Sequence, residues 1–373
     1  MKVPPIKPMA SVSPSRFVNL QSCILKEAFA ASRAEPLLPK SPKAALGTVC
    51  HKLLELAAKK AISSDRESIL KKWGELIHEA EQRLSTSKLE KHLSPLSKSC
   101  NEFFVVRERA IKLTSVLAER FTPRAEGKGI EGLGYEVDVT TPDGLLKGRI
   151  DCVDQSDGVL TIKDYKTGTV FESEGESTAV RPEYVTQLKL YAAMYAEVFS
   201  KWPAKLFLVS MSGEFVPVQM IPDECRALAR EARERLQAAN EKIEAVLSGR
   251  KILSDLASPL PANCRFCTYR PACAAYRNAR TSQPELQWPN DFWGTLVEIS
   301  ISPIGRRTIL VRNDNAAGRT TVVRRLADDV RYFALKKIPL GTTIALFSLR
   351  KDNAPDTFTE GPMTAIYKAS DLV

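Results

Sequence analysis

The spacing of apolar residues changes period along the chain, and the changes divide it into elements. Ser13-Pro14-Ser15 opens a short helix carrying Phe17, Leu20 and Cys23, with serine as cap and proline in the first turn. Residues 33–43 contain three prolines and read as a loop. From Ala44 to Ala61 apolar residues fall at Leu46, Val49, Leu53, Leu56 and Ala57, the spacing of a helix with one buried face. Residues 62–121 stay helical in pattern but are charged and lysine-rich, as expected of a helical layer or insertion beside a sheet, and Gly127–Gly134 ends the run. Alternation then takes over. Tyr135–Thr140, Leu145–Val153 and Val159–Lys166 read as three strands of a meander, reversed at Pro142-Asp143-Gly144 and Ser156-Asp157-Gly158. The polar stretch from Gly168 to Pro182 has no period and is expected to be a mobile loop. Tyr184–Phe199 is again helical, Lys205–Met211 and Phe215–Met220 are strand-like, and Asp223–Leu247 is a long charged helix.

Past residue 278 the pattern changes once more. Residues 279–290 (ARTSQPELQWPN) are polar with two prolines, as in a linker. From Asp291 to Val373, apolar runs such as GTLVEISI, RTILVRN, TTVVRRL, RYFALKKI and TTIALFSLR alternate with turns. No helix is predicted there, and about five or six strands in roughly 80 residues suit a small closed barrel of the OB or SH3-like kind. The expected organisation is a flexible arm over 1–10, an α/β domain over 11–278 with the helical insertion at about 62–121, the linker over 279–290, and the barrel over 291–373.

Composition narrows the class. The 373 residues are 44% hydrophobic, enough for sizeable cores, and the net charge of +10 favours a polyanionic partner. No apolar run is long enough to span a bilayer, so no membrane role is expected. The start, MKVPPIKPMASVSPSRF, has no apolar signal core, and eight cysteines in that context read as thiols or metal ligands of a reducing cytoplasm.

The candidate chemistry sits between Gly148 and Gly168. On a strand Leu160, Ile162, Asp164 and Lys166 share one face, which begins apolar and ends in an acid and a base. Asp151 on the neighbouring strand reaches the same end. Two acids and a lysine there can hold a divalent metal and a hydrolytic water; the plainer alternative is a surface hairpin with an Asp164–Lys166 ion pair. Glu136, upstream, faces the same site in one reading that the sequence does not fix. His51 lies one turn after Gly47 on the same side of its helix and reads either as a ligand or as a polar residue at the edge of a core; His78 and His92 are expected to be solvated. Gln187 and Tyr191 share a helix face.

Cys264, Cys267 and Cys273 crowd one tight loop, and Cys23 is the natural fourth ligand. One Cys-x-x-Cys knuckle plus an unequal arm suits a [4Fe–4S] cluster better than Zn2+, which stays as the alternative. Such a cluster would clip together the two ends of one domain. Cys50, Cys100, Cys152 and Cys225 read as ordinary buried thiols.

Gly148-Arg-Ile-Asp151, Asp164-Tyr-Lys166-Thr-Gly168 and Gln187-x-x-x-Tyr191 resemble the RecB-like nucleases of the PD-(D/E)xK superfamily, and Gly47-x-x-x-His51 resembles their upstream histidine motif. Cys23 with the 264–273 cysteines resembles the iron–sulfur branch, which includes the CRISPR-associated exonuclease of spacer acquisition and the AddB-type nuclease. The likeness covers about Ser13 to Arg277, and the barrel lies outside it. It implies a restriction-endonuclease-like α/β fold, a mixed sheet flanked by helices. It implies Mg2+ or Mn2+ held by His51, Asp151, Asp164 and the Tyr165 carbonyl, with Lys166 orienting or deprotonating the water. Gln187 and Tyr191 would line the site and position the strand or Lys166. Cys23, Cys264, Cys267 and Cys273 would hold the [4Fe–4S] cluster.

The expected activity is that of a metal-dependent DNA nuclease, an exonuclease on single strands or DNA ends, in repair, recombination or antiviral defence. The alternative is a non-catalytic nucleic-acid-binding or scaffolding subunit of a helicase–nuclease complex. No Walker-type loop is present, so a helicase or defence-system motor would be a separate chain.

Overall fold

The structure, a computed structural model, describes residues 4–120, 132–174, 177–314, 319–327, 335 and 337–372. Six helices come first: α1 (Pro14–Ser22), α2 (Ile24–Ala31), α3 (Pro42–Ala58), α4 (Arg66–Thr86), α5 (Leu96–Ser99) and α6 (Phe103–Arg120). Strands β1 (Gly134–Thr140), β2 (Lys147–Ser156) and β3 (Val159–Lys166) follow, then β4 (Phe171–Glu174), β5 (Ser177–Val180), α7 (Pro182–Phe199), β6 (Lys205–Ser210), β7 (Phe215–Val218) and α8 (Pro222–Leu247). The cysteine loop contains α9 (Pro261–Cys264) and leads to α10 (Ala274–Ser282). The remainder is β8 (Phe292–Ile301), β9 (Arg307–Asn313), β10 (Thr320–Leu326), β11 (Thr343–Phe347), β12 (Arg350–Lys351), β13 (Thr357–Thr359) and β14 (Ala365–Lys368). Of the break expected at Gly127–Gly134, residues 127–131 lie outside the described residues.

The main sheet has the order β1-β2-β3-β6-β7, antiparallel except for β3 beside β6. A parallel pair needs a crossover, and α7 supplies it. Strand alternation sends Leu160, Ile162, Leu206 and Leu208 to one face, where they meet Leu188, Leu190 and Met194 of α7 and Leu236 of α8. Each such buried side chain contributes about 1.5–3 kcal/mol. The opposite face, with Tyr165 and Val209, is covered by α3, α4 and α6 through Leu53, Ile69, Trp73 and Ile111. The 62–121 segment is therefore one wall of the core, and α4 starts where Asp65 Oδ1 accepts from the Ser68 N–H at 2.8 Å.

Four expectations need correction. The described part of the 1–10 arm is docked: Met9 is buried, and its N–H and carbonyl exchange hydrogen bonds with the Asn240 side chain, both at 2.8 Å. The supposed mobile loop after Gly168 contains a hairpin, β4 paired with β5. The linker is anchored: α10 runs to Ser282, Trp288 packs 5.7 Å from Tyr276, and Asn290 Nδ2 donates to Leu349 O at 3.1 Å. His92 is half-buried, with Nε2 2.7 Å from Pro362 O, whereas His78 is exposed as expected.

The C-terminal unit is a mixed seven-stranded sheet of order β12-β13-β10-β9-β8-β11-β14, with β10 and β13 parallel. Among the described residues no ladder joins β12 to β14, so the sheet is loosely compatible with a half-barrel and closure of the OB or SH3-like kind is not shown. Of the expected strand RYFALKKI, residues 331–334 and 336 lie outside the described residues, and 3-10 turns at Ala369–Leu372 end the chain. This sheet shares a core with the cysteine loop: Trp293 and Phe347 pack with Tyr276, Cys264 and Leu38. Beside that core Arg270 Nε donates to Asp291 Oδ2 at 2.6 Å, and Tyr276 OH donates to the same oxygen at 2.7 Å. The Ser348 N–H donates to Asp291 Oδ1 at 2.7 Å. The pair is almost wholly withdrawn from water, at 4% and 0% side-chain exposure.

Candidate active site

The hairpin of β2 and β3 opens at its far end, and Asp151 is what replaces the ladder there. The last paired residues are Cys152 and Lys163, and the next backbone donor, Tyr165 N–H, goes to Asp151 Oδ2 at 2.8 Å. The carboxylate is thereby fixed beside β3. Asp164 and Lys166 continue the Leu160–Ile162 face toward α7, while the Tyr165 ring is buried on the other face.

Asp164 is 3% exposed. Lys166 Nζ lies 2.5 Å from its Oδ2 and donates to Gln187 Oε1 at 2.9 Å, and Gln187 Nε2 returns to Asp164 Oδ1 at 3.3 Å. The three side chains close a ring. The plain ion pair is present, but inside a buried three-residue network rather than on a surface hairpin. Lys166 Nζ also stands 4.4 Å from the centroid of the Tyr184 ring. Tyr184, which the sequence reading missed, shares an α7 face with Gln187 and Tyr191, and that three-then-four spacing was the available signal.

His51 reaches the cleft from α3, with Nδ1 4.0 Å from Asp151 Oδ2. Helix α3 begins at Pro42 behind Ser41, whose Oγ accepts from the Lys43 N–H at 3.3 Å. Gly47, one turn before His51, lets β3 come close: a methyl there would stand 2.9 Å from Thr167 Oγ1. Gly148 does the same for α7, since a methyl would meet Tyr191 Cε1 at 2.9 Å and Pro14 Cδ at 3.1 Å. Tyr191 is buried, which raises its phenol pKa, so it is a neutral wall of the cleft. Glu136 falls opposite Asp151 between the Tyr135–Cys152 and Val137–Ile150 pairs, and its Oε2 lies 3.6 Å from Arg149 Nη1.

The electrostatics follow from crowding. Burial, then the Asp164 charge, pushes the Asp151 carboxyl upward. Burial lowers the basicity of His51, against the Asp164 charge, and Lys166 lowers it further. Asp164 Oδ2 is buried with no hydrogen bond of acceptable direction, although Lys166 is near. Two crowded carboxylates, one with an oxygen lacking a directed donor, and a neutral imidazole form a donor set that suits a divalent cation of the Mg2+ or Mn2+ kind. Among the described residues no three His, Cys, Asp or Glu side chains stand close enough together to hold one ion as placed.

The four cysteines of the second cluster are brought to one place. Cys23 is the extended joint between α1 and α2, Cys264 ends α9, and Cys273 caps α10, its Sγ accepting from Tyr276 N at 3.4 Å. With Cys267, Leu25, Phe29 and Tyr269 they line one small, mostly apolar pocket. Burial pushes the Cys264 thiol up to about 12 and the Cys273 thiol up to about 11, with neighbouring thiols adding. The positive Lys26 and Arg270 oppose this at Cys267. Cys50, Cys100, Cys152 and Cys225 are buried in the two main cores.

No described helix is long and apolar enough to cross a membrane. A comparison with curated proteins finds no match. A comparison with protein families finds one over residues 11–274, from the helix that docks on α7 through the cysteine loop. The family is the PD-(D/E)XK nuclease superfamily, whose members are typically metal-dependent nucleases, and this chain belongs to it.

Proposed function

We propose that the chain is a metal-dependent DNA nuclease that hydrolyses phosphodiester bonds, acting as an exonuclease on single strands or DNA ends. The observation that carries this reading is the convergence of Asp151, the Asp164–Lys166–Gln187 ring and His51 at one strand end. His51, Asp151, Asp164 and the Tyr165 carbonyl would hold the cation. Bound there, Mg2+ or Mn2+ would supply an acidified water and offset charge on the scissile phosphate. Lys166, pinned by Gln187, orients that water and faces negative charge as it grows on the phosphate. Gln187 fixes the lysine, while Tyr191 and Tyr184 wall the cleft against loose water.

Cys23, Cys264, Cys267 and Cys273 hold a [4Fe–4S] cluster in this reading, with structural Zn2+ as the alternative. The resemblance to iron–sulfur nucleases favours work in DNA repair, recombination or antiviral defence beside a separate helicase or defence-system subunit. The C-terminal sheet is read as an open counterpart of an OB or SH3-like barrel that adds grip on DNA.

The deciding experiment is purified protein with Mn2+ on end-labelled linear and circular single strands, beside Asp164→Ala. Shortening of linear DNA with circular DNA left whole is expected, and Asp164→Ala should abolish cutting while largely retaining binding. Binding without any cutting by the parent protein would instead mean a scaffold. Stoichiometric zinc in a colourless preparation would overturn the cluster.

A further inference from the structure

A groove of about 300 Å³ opens where the start of α3, the cysteine loop and the C-terminal sheet meet. Its walls include Lys40, Ser41, Ala44, Arg265, Phe266 and Met363; none of its described lining residues is acidic, and the nearest acid is Glu90, bonded to the Lys40 backbone. Phe266 is 66% exposed and its ring lies on the groove wall. The Arg265 guanidinium lies 5.2 Å from the centre of that ring. Among the described residues neither the Lys40 ammonium nor the Arg265 guanidinium forms an ion pair, although the Lys40 N–H donates to Glu90 Oε1 at 2.9 Å.

The groove adjoins another. Lys40, Ser41 and Ala44 also line a second groove, of about 570 Å³, between α3 and α4, which runs past Thr48 to Lys52. Ala44, Thr48 and Lys52 recur at four-residue steps, so this second groove follows the α4-facing side of α3. The second groove carries both signs of charge, including Glu79 and Glu90, whereas the charged residues described on the walls of the first are basic.

We infer that the first groove is a binding subsite for a single DNA strand outside the cleavage site, with Phe266 stacking one base and Arg265 and Lys40 gripping adjacent phosphates. An exposed ring beside two cationic side chains that form no ion pair is the combination that tracks single strands without reading sequence. The inference rests on the nuclease reading only in its choice of strand; the groove's chemistry is independent of cutting.

The test is fluorescence anisotropy of labelled oligo-dT with the full chain, its cysteine-bound cofactor in place and no divalent metal added. Phe266→Ala should weaken binding roughly five- to a hundred-fold, and Phe266→Trp should retain it. Lys40→Ala and Arg265→Ala should each lower the salt slope by about 0.7. Phe266 lies between two cofactor thiols, so iron content and visible absorbance accompany each variant; Lys40→Ala, away from that loop, gives the independent reading. Wild-type affinity and salt slope in all the alanine variants, as expected if the groove serves a protein partner, would overturn the inference even if the parent cuts DNA. Loss of binding in the variants of a parent that never cuts would leave the inference standing and remove the nuclease.

Discussion

Lys166 Nζ sits over the ring of Tyr184 at 4.4 Å while Gln187, one turn along the same helix, accepts its hydrogen bond at 2.9 Å. One helix thus fixes the lysine from two sides. A cation–ring contact of this kind contributes about 0.5–2 kcal/mol. Tyr184→Leu should therefore lower kcat roughly two- to thirty-fold with KM little changed, and Tyr184→Phe should restore it. Steady-state cleavage of a labelled strand separates the two parameters.

Gln187→Ala removes the other restraint and leaves Asp164 Oδ1 without its donor. Lys166→Ala removes the group itself and should cost about 10²–10⁴-fold in cleavage rate, with Gln187→Ala losing less. Single-turnover cleavage measures both, and equal effects would show that Gln187 is needed for more than holding the lysine.

The two close glycines make unequal demands. A methyl on Gly47 meets the end of a threonine side chain that can rotate, whereas one on Gly148 is wedged between Tyr191 and Pro14. Gly148→Ala should destabilise by about 1–3 kcal/mol and Gly47→Ala by less than about 1 kcal/mol. Urea unfolding reads the difference, and Tyr191→Leu should relieve part of the Gly148→Ala cost.

Asp143, in the turn between β1 and β2, gives the clearest pH dependence. Partial burial raises its carboxyl, but hydrogen bonds from Arg233, Thr141 and the Leu145 N–H outweigh that and hold it at about 2. A lowered folded value means stability that is complete above the unfolded value of about 4 and fades as pH falls toward 2. The side chain is 37% exposed, so solvent screening limits the effect to about 1 kcal/mol or less. Asp143→Asn should lower Tm slightly at pH 7 and match the parent near pH 2, as followed by circular dichroism.

Arg270 and Asp291 join the cysteine loop to the C-terminal sheet. Arg270→Met leaves a buried carboxylate uncompensated and should cost about 3–5 kcal/mol, with part regained by adding Asp291→Asn. Limited proteolysis should find new cuts within 279–290 in the single variant.

The sequence made the β1–β3 meander and the Asp151, Asp164 and Lys166 positions readable because both depend on local facts, a two-residue period and Asp-Gly turns. His51 and Gln187 were readable only with the family pattern, since a lone histidine or glutamine has no period of its own. Met9 and Asn240 were out of reach: they lie 231 positions apart, and nothing local marks the pairing. The β4–β5 hairpin was missed because FESE and STAV are too short and polar to alternate visibly. The anchored linker was missed because its partners, Tyr276 and Leu349, flank it on both sides in sequence.

Cys23, set in the bend between the first two helices, shares its cavity with residues more than 240 positions later. On the ribosome those helices emerge long before anything can cover their apolar sides. Asn240, Cys264 and Tyr367, whose hydroxyl donates to Leu37 O, are all still unmade. The first forty residues must wait, so truncation from the C-terminal end should yield chains that are bound by chaperones or degraded rather than smaller working enzymes.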